Sequence, residues 1–406
     1  MHQPLAGVRV VEVAMWGFVT SAGAVLADWG ADVLKVEHAV TGDPQRGLRR
    51  TGAFVVEGDV NPNVEHPNRG KRSIGLDISV ESGRAVLDDL VRQADVFLTS
   101  LLPGARRRLR IEVEDVRAAN PAVVYARGSA LGPRGEEADR GGYDMTAFWA
   151  RAATAASLTP PDVEGIITPS APAYGDTISG TNLAGGIAAA LFARERTGEP
   201  SVVDVSLLGS GVWAMGAAID SSLLADRPWV APRTGTVGSA NPLSALYRTA
   251  DGHYLSLVML QPTRFWADVC RHIDRPDLAA DERFATAEGI EAHSAEAVAA
   301  LREAFGSQPL AYWTRRLATL SGPWAPVQDT LQVGDDAQVR SNGYLATVEA
   351  EDGSSFELVA SPVQFDERPT ALRRAPAFAE HTDAVLAGLG LDQDRIIALK
   401  LDGAVT

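Results

Sequence analysis

The sequence predicts an α/β protein: a large domain built on a parallel sheet covered by helices, with a smaller α+β domain beside it. Three observations lead there. Short apolar runs alternate with helical patterns through roughly the first 200 residues, the texture of helices packed on a parallel sheet. After residue 223 this texture gives way to a loop-like break and then to a second, smaller pattern. A chain of 406 residues with 46% hydrophobic content is long enough for one large core and a smaller second one.

Residues 8–13, 33–36, 74–78, 96–98 and 123–125 read as strands, and 82–93 carries helical periodicity between two of them. The first strand-to-helix turn, Met15-Trp16-Gly17-Phe18, lacks a G-x-G-x-x-G fingerprint. The shape is therefore Rossmann-like without a nicotinamide or flavin site. In the tract 173–198, Leu183, Ile187, Ala190 and Leu191 recur at helical spacing, and Arg194, Arg196 and Gly198 supply a cationic last turn and a glycine stop. Arg227-Pro228-Trp229 and Ala231-Pro232-Arg233-Thr234-Gly235 form the break, after which an apolar run, 254–260, precedes a helix at 263–272. The implied division is 1–227 for the large domain, 228–327 for the small one, and 328–406 for a C-terminal segment.

Composition removes several function classes. A net charge of −15 disfavours nonspecific nucleic-acid binding, so any anionic ligand must meet a local basic patch. The single cysteine, Cys270, excludes an internal disulfide framework and reads as a buried thiol. The seven histidines form no H-x-x-x-H pair, so no metal site is expected. No apolar run reaches the length of a membrane span, and Met1-His2-Gln3-Pro4 leads directly into the first strand pattern, which points to a cytoplasmic location.

The residue with the most chemical meaning is Asp176, at or just before the first turn of the helix in 173–198. Exposed N–H groups and the helix dipole there favour an ionised carboxylate. Such a carboxylate can attack an activated carbonyl. Aspartate is equally at home as a structural N-cap, and the local sequence alone favours that reading. Gly175 beside it would let a substrate or oxyanion approach the backbone, or would serve conformation only.

An ordered series of motifs decides between these readings. Pro4-Leu5-Ala6-Gly7-Val8-Arg9-Val10-Val11-Glu12-Val13 and Ala27-Asp28-Trp29-Gly30-Ala31-Asp32-Val33-Leu34-Lys35-Val36-Glu37 come first. Asn68-Arg69-Gly70-Lys71-Arg72-Ser73-Ile74, Pro103-Gly104, Gly142-Tyr143-Asp144, Gly175-Asp176, Arg194-Glu195-Arg196-Thr197-Gly198 and Val203-Asp204-Val205-Ser206-Leu207 follow. Pro323-Trp324-Ala325-Pro326-Val327 and Glu380-His381-Thr382 close the series. Together they resemble the class III CoA-transferases, the CaiB/BaiF family, nearly end to end.

The resemblance implies an interlocked homodimer and an acyl-CoA:carboxylate CoA-transferase with Asp176 as nucleophile, assisted at Gly175, without metal or tightly bound cofactor and with coenzyme A as substrate. By position, Trp16, Gly17 and Phe18 would follow the pantetheine and thioester, Leu101 and Arg106 would lie near the nucleotide, and Tyr143 near the thioester. Arg46, Arg49 and Arg50, then Lys71 and Arg72, then Arg106, Arg107, Arg108 and Arg110 are the cationic clusters available to CoA phosphates. Only one or two members of each are expected to touch ligand.

The alternatives are an α-methylacyl-CoA racemase and a CoA-binding homologue without turnover. The racemases resemble this chain with histidine at the place of Tyr143 and glutamate at that of Ala245; neither residue here is a suitable base. No glycine-rich loop like that of the oxalate-specific members is evident, Gly235-Thr236-Val237-Gly238 being the nearest. Phe148, Trp149 and Tyr174 would line a pocket for a larger hydrophobic acyl group or form ordinary core.

Overall fold

Six short strands rich in valine and leucine align in parallel: β1 (Arg9–Val13), β2 (Asp32–Glu37), β3 (Arg72–Gly75), β4 (Val96–Thr99), β5 (Val124–Ser129) and β6 (Val202–Ser206). Their order is β3-β2-β1-β4-β5-β6, with Val10 level with Val33 on one side and Val96 on the other. The computed structural model describes residues 3–52, 54–168, 171–232 and 241–406. Residues 233–240, which include Gly235-Thr236-Val237-Gly238, lie outside the described residues.

Because side chains alternate along a strand, the sheet builds a core on each face. Val10, Val33, Val96 and Val124 meet helices α1 (Phe18–Asp28) and α3 (Tyr174–Thr197) on one face. Val11, Leu34, Phe97 and Tyr125 meet α2 (Glu81–Arg92) and the C-terminal Val385, Leu386, Ile396 and Leu399 on the other. Two covered faces explain why the strands read as continuous apolar runs rather than alternating ones.

The α/β fold predicted from the sequence is therefore present, with adjustments at the edges. The strand read at 74–78 stops at Gly75: the Leu76 N–H makes a last bond to the Glu37 carbonyl of β2, and the Asp77 N–H turns away to the Ala404 carbonyl. Edge strand β6 was not foreseen. It carries Asp204, ion-paired to Arg127 of β5, and is mostly half-exposed, so no apolar run marks it.

The chain divides into two compact units, one of Met1–Leu158, Ile166–Trp229 and Ala337–Thr406, the other of Thr159–Gly165 and Val230–Asp336. The divisions read at 227 and 327 differ from this partition, since 159–165 and 328–336 group with the second unit by spatial contact that composition cannot register.

The first unit also carries two short apolar helices, α4 (Leu207–Ala214) and α5 (Gly216–Ala225). No single described helix is long and apolar enough to cross a membrane; α4 and α5 together reach that length and composition but meet at 70°. The second unit contains a three-stranded antiparallel sheet of β7 (Ser244–Arg248), β8 (Tyr254–Val258) and β9 (Trp324–Pro326), with α6 (Pro262–His272) packed beside it. Cys270 of α6 is buried in this core, where burial and then Asp277 push its thiol up to about 12, and an inert thiol follows.

Candidate active site

Between β1 and β4 the strand order reverses, and in open parallel sheets the crevice outside the carboxyl ends at such a point is where ligands bind. A cleft of about 710 Å³ opens there. Met15, Trp16 and Phe18 after β1, Leu101 and Leu102 after β4, and Ala130 and Leu131 after β5 form its walls, with Tyr143 and Asp176 also facing it.

Asp176 is the third residue of α3 and lies in its first turn. It is not the cap: that position belongs to Ala173, whose φ of 55° is left-handed. The capping acceptor comes from elsewhere in the chain. Asp144, 8% exposed, takes the Gly175 N–H at 2.9 Å on Oδ2, and the Asp176 N–H also bonds its carboxylate. The helix terminus thus has a negative partner already, and the N–H groups of Gly175 and Asp176 are committed to it.

This overturns the expected electrostatics of Asp176. Burial first, and the Asp144 charge second, push its carboxyl up to about 7. Desolvation and a like charge outweigh the dipole. Asp144 itself is raised by burial, with the N–H bonds from Gly175 and Asp176 opposing. A carboxyl poised near neutrality and facing a cleft makes Asp176 a candidate functional residue.

Close approach of two helices fixes where the Asp176 side chain goes. A Cβ on Gly17 would lie 2.6 Å from Asp176 Oδ2, and one on Gly180 would lie 2.8 Å from the Phe18 carbonyl oxygen. The two helices therefore approach backbone to side chain at the first point and backbone to backbone at the second. Gly175 has a packing reason of its own: a Cβ there would meet Phe148 at 2.5 Å. Its N–H is committed to Asp144, so an N–H for an approaching oxyanion would have to come from another residue.

The remaining residues sort by position. Trp16, with φ 68°, stands edge-on to Tyr143 at 5.7 Å between ring centres. Tyr143 is 60% exposed. Trp16, Phe18, Leu101, Tyr143 and Asp176 come together around the cleft, with Gly17 against Asp176. Phe148 and Trp149 prove to be buried, in a π-helical segment, Met145–Arg151, and Tyr174 packs edge-on against both. None of the three lines the cleft.

Three cationic expectations are corrected. Lys71 is enclosed with no exposed side-chain surface and bonds both Glu12 oxygens at 2.8 Å. Arg72 opens β3 and grips Asp32 at the start of β2, so it lies at the amino end of the sheet, opposite the cleft. Arg106 is buried, bonding the Leu101 carbonyl at 2.8 Å and Glu112 at 3.1 Å, so it braces the cleft wall from behind. Arg46 likewise grips Glu37, while Arg107 and Arg108 are exposed. Asp144 is the neighbour of Asp176 that the sequence did not single out; its presence in Gly142-Tyr143-Asp144 was visible, but its reach to a helix 31 residues later was not. Among the described residues, no group of three or more His, Cys, Asp or Glu could hold a metal.

Comparison with known proteins shows the family. Residues 5–382 match CoA-transferase family III. The chain is 27% identical over 393 residues to the (R)-2-hydroxy-4-methylpentanoate CoA-transferase of Clostridioides difficile, covering 97% of both chains. It is 30% identical over 404 residues to the succinate–glutarate CoA-transferase of Agrobacterium fabrum, covering 95% of this chain and 96% of the other. The crystal structure of a CaiB/BaiF family protein from Brucella suis superposes with a TM-score of 0.81 at 27% identity, over 96% of this chain and all of that one. The two enzyme names specify different acids.

Proposed function

Since this chain belongs to CoA-transferase family III, we propose that it moves coenzyme A from an acyl-CoA to a free carboxylic acid through covalent intermediates on Asp176. The observation that carries this reading is a half-buried carboxylate, held against Gly17 in the first turn of α3 and facing the cleft.

Ionised Asp176 attacks the thioester carbon, the C–S bond breaks, and CoA leaves as thiolate, giving an aspartyl-acyl anhydride. The thiolate then attacks the aspartyl carbonyl carbon and expels the first acid as carboxylate. The acceptor carboxylate attacks the resulting aspartyl-CoA thioester and releases thiolate again. Finally the thiolate takes the new acyl carbon, and Asp176 is regenerated. Each step exchanges one acyl bond for another of similar energy, so no ATP is consumed.

Trp16, Gly17, Phe18, Leu101 and Tyr143 are assigned to the pantetheine and thioester, and the exposed guanidiniums of Arg107 and Arg108 to CoA phosphates. Both arginines sit on the short helix Pro103–Leu109, whose Ala105 lines the cleft. Met15, Leu102, Leu131 and Leu207 make an apolar wall suited to a larger hydrophobic acyl group. Racemisation is disfavoured by Tyr143 and Ala245, since alanine cannot titrate and tyrosine is a weak base at neutral pH.

The working unit is assigned as a homodimer. Trp213 and Leu224 are 82% and 90% exposed, and no residue of α5 is buried. An apolar surface of this kind calls for a partner. The chemistry is tested by incubation with a panel of acyl-CoAs, a hydroxylamine quench and peptide mass spectrometry. A hydroxamate on the Asp176 peptide, absent in Asp176→Ala, is the expected result. Acyl-CoAs that bind but leave no mark on Asp176 would overturn it and turn attention to deuterium exchange at the α-carbon.

A further inference from the structure

Beneath the turn that follows β1 lies a group of buried charges that the transfer chemistry leaves unused. Glu12, Glu37 and Asp43 face Lys35, Lys71 and Arg46, three carboxylates against three cations. Five of the six, Glu12, Lys35, Glu37, Asp43 and Lys71, have side chains no more than 2% exposed. Burying so many charges is expensive, and a hydrophobic core would serve stability as well.

The reach of these groups is what distinguishes them. Lys35 Nζ donates to the Ala14 carbonyl at 3.0 Å and pairs with Asp43 at 2.8 Å. Asp43 Oδ1 accepts the Trp16 N–H at 3.3 Å. Lys71 Nζ donates to the Thr20 carbonyl at 2.8 Å and to Asn68 Oδ1 at 3.2 Å while holding Glu12. Three main-chain atoms of residues 14–20 are thus gripped from below, at both ends and in the middle. The same turn holds Trp16 in the left-handed region, with the Thr20 hydroxyl donating to the Trp16 carbonyl, and presents Gly17 to Asp176 Oδ2. A non-glycine residue at positive φ persists only where its surroundings over-determine it.

We propose that Glu12, Lys35, Asp43 and Lys71 are positioning residues, a buried ionic clamp that sets the turn 14–20, and with it the thioester wall of the cleft, against Asp176. This rests on the reading of Asp176 as the nucleophile. Lys71 is thereby moved from ligand binding to support: it acts on the reaction through the Thr20 carbonyl and Glu12, not by touching CoA.

The test neutralises the pair together, in Glu12→Gln/Lys71→Met, so that no charge is stranded. Asp43→Asn is the second variant, which keeps an acceptor for the Trp16 N–H but loses the ion pair with Lys35. For each, the single-turnover rate of Asp176 acylation and its half-saturating acyl-CoA concentration are measured beside a thermal melt. Displacing reacting groups by about an ångström costs roughly a hundredfold, so a cooperatively folded double variant is expected to acylate about ten- to a hundredfold more slowly. Half-saturation should stay within about threefold, because the positions of the CoA contacts are not all set by this turn. Asp43→Asn is expected to show the same split, to a smaller extent.

An unchanged rate in a folded double variant would overturn the clamp, and so would weaker binding with an unchanged rate, which would return Lys71 to the ligand. If the double variant does not fold, Asp43→Asn decides alone, a wild-type rate counting against the proposal. Failure of the wild-type enzyme to label at Asp176 would instead refute the nucleophile reading.

Discussion

Replacing Asp144 by asparagine probes the electrostatics of Asp176 with little change of shape. The asparagine Oδ1 can still accept the Gly175 N–H that Asp144 takes at 2.9 Å, so the start of α3 keeps an acceptor. What is lost is a buried negative charge, the second cause of the raised Asp176 carboxyl after burial itself. At an effective dielectric of about 20, like charges in neighbouring side chains repel by roughly 1–2 kcal/mol, about one pKa unit. Asp176 is only half-buried and Asp144 is itself raised, so a fall of about one unit, from about 7 to about 6, is the working figure. Only the carboxylate attacks, so at pH 6 the reactive fraction rises from roughly one-tenth to one-half. Acylation should then be about fivefold faster at pH 6 and no faster at pH 8, where both proteins are ionised. A quenched-flow series of hydroxamate trapping from pH 5 to 9 reads the two midpoints directly. Coincident midpoints in a folded Asp144→Asn protein would refute the argument that a like charge tunes the nucleophile.

The same carboxyl makes stability depend on pH. Its ordinary value of 3.8 rises to about 7 on folding, so the folded chain holds an extra proton in between, and stability falls as pH rises from about 4 through about 7. Asp176→Asn is therefore expected to melt higher than wild type at pH 8, by roughly 2 kcal/mol after discounting for exposure, and nearly alike at pH 4, by differential scanning calorimetry at both pH values. Gly17→Ala puts a methyl 2.6 Å from Asp176 Oδ2 and should slow acylation about tenfold or more while binding of acyl-CoA, measured by calorimetry, changes little. Gly175→Ala meets the Phe148 ring base at 2.5 Å and should cost about 1–3 kcal/mol in denaturant unfolding, as overpacking does. Leu224→Glu on the exposed face of α5 should convert the proposed dimer to monomer in sedimentation velocity, with the fold retained by circular dichroism.

How much was legible depended on the range of the interaction. Strands β1, β2 and β4 and the end of α3 were readable because local apolar runs, arginines and Gly198 encode them within a few residues. Strand β6 was missed because an edge strand, half-exposed and carrying Asp204, has no such run. Arginine and lysine clusters could be counted in sequence but not sorted into ligand-facing and structural members. Lys71 and Arg106 look like solvated cations in isolation, and only the tertiary structure brings Glu12 and Glu112 to them.

The sequence by itself determined the α/β class, the membership of a CoA-transferase family, and the residue on which the chemistry is proposed to turn, since each is written in contiguous motifs. The tertiary structure decided the state of that residue. Asp144, 32 positions before Asp176, caps the helix, withdraws its N–H groups and adds a like charge. The neutral-range carboxyl arises from burial and from that neighbour, both of which exist only when the chain is folded.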